Sequence, residues 1–251
     1  MSTHKSMLAG RRLLIADDES FSRFFVVRMV RDMGCPDVLQ AADGAETLKH
    51  LGEAGDSLSA LVLDFNMPQS NGLQVLKAIR TGKAGVPRNS NVLMLTGSSD
   101  FALVGAAMAL DVDAFVIKPV SEAVMAERLN RMFCEAGEIK TVADYDAVDV
   151  ETVSKRLLSN KPVTTTSAKS GVLMPKAAVR PAITTSSPTV RVSLEKLVPG
   201  AVLAENIRGP SGELLLGAAT VLSERLLRRI KELQPALSIE HVTIFATGTT
   251  K

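Results

Sequence analysis

Five short apolar runs, separated by stretches with helical spacing, most constrain what this chain can fold into. Leu13-Leu14-Ile15-Ala16 is the first run, and a second strand is read over 37–42. The third covers 61–64, the fourth 91–95 and the fifth 114–117. Helical stretches follow at 21–33, 45–51, 73–80, 101–110 and 121–133; Met125, Leu129, Met132 and Phe133 share one face of the last. Strands this apolar, alternating with helices, form a parallel sheet covered on both faces. Turn signals at Cys35-Pro36, Asp43-Gly44, Asn71-Gly72 and Gly85 before Pro87 agree.

At 251 residues the chain holds one or two domains, with two favoured. A hydrophobic share of 46% with 22% charged residues excludes wholesale disorder and collagen-like fibres. Aromatics at 4%, with no Trp, argue against a stacking platform for single-stranded nucleic acid. A formal net charge of +2 does not by itself call for a polyanion partner. Cys35 and Cys134 form no CxxC pair and read as free thiols of a reducing compartment. No apolar run approaches the ~20 residues of a membrane span, and 13–16 is too short for a signal-peptide core. A cytoplasmic protein without membrane insertion is expected.

The texture changes after residue 135. From Thr152 to Leu194 there is no Asp or Glu, while Lys155, Arg156, Lys161, Lys169, Lys176, Arg180 and Arg191 are present with Ser/Thr runs and four prolines. We divide the chain at 11–135, 136–189 and 190–247. The middle part reads as a flexible basic tether with one or two helical turns near 150–158, because it buries too little apolar surface to offset chain entropy. Its basic charge admits contact with nucleic acid or an acidic membrane, but its low charge density favours a solvated tether. The last part reads as a small β-rich α+β module. Strands are expected at 190–192, 201–204, 213–216 and 242–245, with a helix over 222–233 capped by Ser223 and ended by Pro235.

The ends of the apolar runs carry the chemistry. Asp17 and Asp18 end the first, Asp64 the third, Thr96 the fourth and Lys118 the fifth. In an open parallel sheet these ends converge on one rim, where ligands bind. Three carboxylates there raise one another's pKa unless a cation joins them, and an all-oxygen cluster suits Mg²⁺. Lys118 adds a mobile positive charge and Thr96 a hydroxyl. Together they meet the needs of phosphoryl transfer to a carboxylate. Taken singly, Asp17, Asp18 and Glu19 also fit as acids at a helix N-terminus, and Asp64 as a turn residue. Phe115 also fits as plain core. It is the conjunction with Thr96 and Lys118-Pro119 that points to a site.

Those motifs resemble the receiver domain of response regulators in bacterial two-component systems, over residues 11–134. Leu14 to Glu19 resembles the family's acidic pair, and Asp64-Phe65-Asn66-Met67-Pro68 with Asn71-Gly72 its phosphoacceptor loop. Met94-Leu95-Thr96-Gly97 is similar to its switch hydroxyl, and Phe115-Val116-Ile117-Lys118-Pro119 to its switch aromatic and lysine. The resemblance implies a flavodoxin-like, doubly wound five-stranded parallel sheet of order 2-1-3-4-5. It implies Asp64 as the residue phosphorylated by a sensor histidine kinase or phosphotransfer protein. Asp18, Asp64 and the Asn66 carbonyl would hold Mg²⁺, with Asp17 assisting. Thr96 and Lys118 would bind the phosphoryl group, Phe115 would be the switch aromatic, and a cis peptide would precede Pro119. Met67, Pro68, Gly72 and Gly97 would shape the loops.

The output is read from what the sequence contains. The three histidines form no HD pair, and GGDEF, EAL, P-loop and GxSxG signatures are absent from the sequence, so no separate catalytic output is expected. Residues 192–244 weakly resemble the small accessory module found ahead of HD-GYP domains. Relay to a protein partner is the first expectation, with homodimer pairing through the last receiver helices and strand as a further option. The alternative is phosphorylation-controlled DNA binding by the basic face of the 222–233 helix (Arg225, Arg228, Arg229 and Lys231).

Overall fold

The computed structural model describes residues 7–97, 101–134, 139–158, 188–209, 214–237 and 239–246. Strands and helices alternate as β1 (Arg12–Ala16), α1 (Ser20–Asp32), β2 (Asp37–Ala41), α2 (Gly44–Ala54), β3 (Ala60–Asp64) and α3 (Gly72–Arg80). They continue as β4 (Asn91–Thr96), α4 (Phe101–Ala109), β5 (Ala114–Ile117) and α5 (Glu122–Cys134). All five strands pair in parallel, in the order β2-β1-β3-β4-β5. This is the doubly wound, flavodoxin-like sheet that the apolar runs and the resemblance implied.

Alternation along each strand builds two cores. Leu13 and Ile15 of β1, with Val62, Leu93, Leu95 and Val116, face α1 and α5. Leu14 and Ala16, with Leu61, Leu63, Met94 and Phe115, face the other side, against α2, α3 and α4. Arg80, fully buried at the end of α3, is satisfied rather than stranded there. It donates to the carbonyls of Leu110, Arg88, Ser90 and Asp111 and to the Asp113 carboxylate at 2.7–3.1 Å. That network pins the entry into β5, and Asp113 also accepts from the Val92 N–H at 2.8 Å.

Beyond α5 the structure departs from the expected tether. Helices α6 (Val142–Asp146) and α7 (Val150–Leu158) pack on the sheet domain. Tyr145 is fully buried; its hydroxyl donates to Asp111 Oδ2 at 2.9 Å and accepts from the Lys140 N–H at 2.9 Å. Lys77 Nζ of α3 donates to the carbonyls of Asp146 and Val148 at 2.9 and 2.8 Å. Asn71 Nδ2 donates to Ser154 Oγ, and Gln74 Nε2 to Glu151. The acid-free composition that suggested a tether begins only after Glu151; a capping box between Thr141 and Asp144 and one buried ring order the chain before it. Most of the Ser/Thr/Pro-rich stretch, 159–187, lies outside the described residues.

The last part comprises β6 (Thr189–Ser193), β7 (Ile207–Arg208), β8 (Leu214–Leu216), α8 (Glu224–Leu237) and β9 (His241–Phe245). β6 pairs antiparallel with β9, and β7 with β8. The strand expected at 201–204 reduces to two isolated bridges, Val202 with Val221 and Leu203 with Ile244. Ser223 Oγ accepts from the Leu226 N–H at 3.1 Å, as a cap should. The helix then runs through Pro235 instead of stopping there. Proline forfeits only the bond to the Lys231 carbonyl, within the last turn.

This part is not held away from the receiver-like sheet. Leu203, Leu215, Leu227, Ile230 and Leu233 join the same core as Phe115, Val104 and Ala107. β8 lies on α4, and α8 on β5 and α4. α8 of the same chain thus lies against part of the face that the sequence offered as an option for homodimer pairing. The physical reason is α4 itself: Phe101–Ala109 contains no charged residue, and a helix apolar on all sides needs cover beyond one sheet.

Candidate functional site

Asp17, Asp64, Thr96 and Lys118 come from four different strands or strand ends and meet at the carboxyl edge of the sheet. Asp17, directly after β1, is fully buried. Its carboxylate accepts from the Glu19 N–H at 3.0 Å, Ser22 Oγ at 2.6 Å and Lys118 Nζ at 3.0 Å. Asp18, next in sequence, faces solvent. One oxygen from each of Asp17, Asp18 and Asp64 lies within 4.8 Å of the others.

Asp64 ends β3 and is almost wholly buried. Lys118 Nζ stands 2.8 Å from its Oδ1, and the Asn66 N–H donates to its Oδ2 at 3.2 Å. Burial pushes the Asp64 carboxyl from 3.8 up to about 6, against the pull of Lys118 and the Asn66 N–H, with the Asp17 charge adding to the rise. Burial pulls the Lys118 ammonium down, but its bonds to Asp64 and Asp17 outweigh this and leave it above the ordinary lysine value. The lysine is thus charged, bridging two carboxylates.

Met67, Pro68, Gly72 and the Lys118–Pro119 bond lie in the loops around this cluster. Gly72 donates to the Phe65 carbonyl at 3.1 Å, and a Cβ on it would lie 2.3 Å from the Asp64 carbonyl oxygen, so no side chain fits. The Pro68 carbonyl accepts from the Ser70 N–H at 2.8 Å, and Met67 is buried beside it. The Lys118–Pro119 bond is cis, as the resemblance implied. Thr96 is fully buried; its hydroxyl donates to the Gly97 carbonyl at 3.1 Å, so Thr96 and Gly97 form the lip beside Asp64. Phe115 is buried and stacks on Phe65, with ring centroids 6.3 Å apart.

Of the residues singled out from the sequence, Asp17, Asp18, Asp64 and Lys118 meet at this rim, Thr96 and Phe115 lie in β4 and β5 beside it, and the arginines at 225, 228 and 229 lie apart on α8. Sequence reasoning missed Ser22, which orients Asp17, and Arg23, which donates to the Asp17 carbonyl at 2.5 Å. A serine and an arginine one turn into a helix are too ordinary a signal. It also missed Glu232, whose Oε2 accepts from the Phe115 N–H at 3.1 Å across 117 residues of sequence.

A doubly wound α/β domain with a three-carboxylate cluster and a bridging lysine at the carboxyl edge of its sheet defines the class. Residues 13–130 match the family model described as "Response regulator receiver domain". Chemotaxis protein CheY1 of Helicobacter pylori is 30% identical over 118 residues, covering 47% of this chain and 93% of that protein. The CheY homolog of Campylobacter jejuni is 31% identical over 118 residues, covering 47% of this chain and 88% of the other. Among solved structures, chemotaxis protein CheY4 of Vibrio cholerae is 26% identical, covering 49% of this chain and 99% of that one, with a TM-score of 0.44. The chain belongs to the response regulator receiver family.

Proposed function

We propose that Asp64 accepts a phosphoryl group from a histidine kinase or phosphotransfer protein and that the chain passes the signal on through protein contacts. The observation that carries this reading is the Lys118 ammonium bridging Asp64 and Asp17 at the mouth of a three-carboxylate cluster. Such a cluster fits Mg²⁺, a hard cation satisfied by oxygen ligands. Asp18 and Asp64 would supply carboxylate oxygens, Asn66 its carbonyl, and Asp17 a supporting charge. When bound, Mg²⁺ neutralises the charge that develops on the phosphoryl oxygens.

An Asp64 carboxylate oxygen attacks the phosphorus of a phosphohistidine. The O–P bond forms, the N–P bond breaks, and the departing imidazole nitrogen takes a proton from solvent. With its carboxyl titrating near 6, Asp64 is mostly ionised at neutral pH and ready to attack. The new group carries roughly two negative charges and three acceptor oxygens. Lys118 can turn to it from the carboxylates, and the Thr96 hydroxyl can turn to it from the Gly97 carbonyl. Drawing Thr96 inward biases β4, β5 and Phe115 toward a second arrangement.

DNA binding by α8 is the weaker reading, because Arg229 is buried and Arg225 donates to the Asp111 carbonyl and the Asp113 carboxylate. We assign the C-terminal part no separate catalytic role. Among the described residues no helix is long and apolar enough to cross a membrane.

The test is incorporation of base-labile phosphate from acetyl phosphate with Mg²⁺. Wild type should label, whereas Asp64→Ala and wild type in excess chelator should not. Equal labelling of Asp64→Ala would sink the assignment.

A further inference from the structure

We propose that α8 is a latch on the switch face of the receiver, closed by Glu232 on the Phe115 N–H and released when Asp64 is phosphorylated. This rests on the phosphoacceptor reading above and extends it to a partner that the chain carries itself.

β5 is the edge strand of the sheet, paired on one side only, with β4. An edge strand presents unpaired backbone groups that must be covered. Here α8 covers them with side chains rather than with another strand. Glu232 Oε2 accepts from the Phe115 N–H of β5 at 3.1 Å, and in the turn that leads into β5 Arg229 Nε donates to the Val112 carbonyl at 3.0 Å. Arg225 reaches the Asp111 carbonyl at 2.7 Å. The bonded residue of β5 is the aromatic whose ring stacks on Phe65, next to Asp64. Between Thr96, which the phosphoryl group would draw in, and the latch there is thus a single strand, tied by the Lys118 N–H donating to the Thr96 carbonyl at 2.8 Å.

The seam is built to open. Glu232 draws in Arg131, Arg229 and Arg128, of which Arg131 and Arg128 also pair with Glu127 on α5. Arg128 Nε is 3.7 Å from it, too far for a hydrogen bond, and is buried with no hydrogen-bond partner. A buried donor left unsatisfied favours the open state. A half-open cleft of about 180 Å³, lined by Phe115, Ile117, Val124, Arg128 and Glu232 among others, also lies beside the seam. A shift of β5 moves the Phe115 N–H, and the carboxylate gathered by three arginines then loses its backbone partner. Opening would expose α4, the helix apolar on all sides, as a docking surface for a protein.

Hydrogen exchange of the Phe115 amide in the full chain tests this. Its protection should depend on Glu232, since among the described residues no strand lies on that side of β5. Wild type without phosphodonor should protect it, and Glu232→Ala should raise its exchange about tenfold or more, with or without acetyl phosphate. Fully phosphorylated wild type should exchange like Glu232→Ala, while Asp64→Ala with acetyl phosphate should stay protected. Glu232→Gln should exchange at an intermediate rate if Glu232→Ala disturbs the fold of α8. Equal protection in wild type and both Glu232 variants would overturn the latch. Retained protection in stoichiometrically phosphorylated wild type would overturn its release. A chain that takes no phosphate would overturn the phosphoacceptor reading and the release together, and the comparison of unphosphorylated wild type with the Glu232 variants would still decide whether the latch exists.

Discussion

Asp64 sits where its charge is disfavoured. Burial raises its carboxyl to about 6 from the ordinary 3.8, so its protonated form favours the folded state. That contribution is fully present below pH 3.8 and fades as pH rises through about 6. Without metal, Asp64→Asn should therefore be more stable than wild type at pH 7, by about 2–3 kcal/mol at most, or several degrees in Tm. The gap should shrink as pH is lowered toward 4, and Mg²⁺ should narrow it at pH 7 by stabilising wild type more. Thermal melts in chelator at several pH values check this; a gap independent of pH would contradict it. Tyr145 offers a second check, because the chain has one Tyr and no Trp. Burial, with Asp111 beside it, pushes its phenol from 10.0 up to about 12. Absorbance at 295 nm should show phenolate forming near pH 12 in the folded protein and near 10 in denaturant. A native midpoint near 10 would mean that α6 is not docked.

At the scale of elements, α3 and α4 show how position is enforced. The start of α3 lies so close to the end of β3 that Gly72 admits no Cβ; the nearest atom would be the Asp64 carbonyl oxygen. Gly72→Ala should destabilise by about 1–3 kcal/mol, as overpacking does, and should slow phosphorylation by displacing Asp64. A variant melting within a degree of wild type and labelling at its rate would show that this contact is not tight. The five runs, the carboxylate rim and the glycine that opens α3 were legible because each is a local pattern with a local reason. Ser223 as a cap was legible on the same ground. The strand expected at 201–204 was not formed because strand content needs a partner along its whole length, and only Val202 and Leu203 find one. Pro235 misled for the opposite reason: its penalty is real in a helix interior but small in a final turn.

At the scale of the whole molecule, the C-terminal part completes the receiver's exterior instead of hanging from it. α4 is enclosed by the sheet, α7, β8 and α8. A chain ending after residue 134 should therefore expose α4 and bind a hydrophobic dye such as ANS more strongly than the full chain, with lower solubility. Equal dye binding would show that the receiver covers α4 by itself. Stopping after residue 158 should give an intermediate result, because α6 and α7 cover the α3 side.

From its sequence alone this chain determined its sheet, the order of chemistry along the sheet's rim, and the identity of Asp64, Thr96 and Lys118 as a set. Those follow from periodicity and from residue types at strand ends, which act over a few residues. Only the tertiary structure decided that Glu232 meets Phe115, that Tyr145 anchors a segment with the composition of a tether, and that α8 turns Arg225 and Arg229 toward the entry to β5 rather than into solvent. Each of these pairs residues distant in sequence, and for Glu232 and Phe115 the separation is 117 residues. No local propensity encodes such a match, since it depends on which buried donor is left without an acceptor once the rest of the chain has folded.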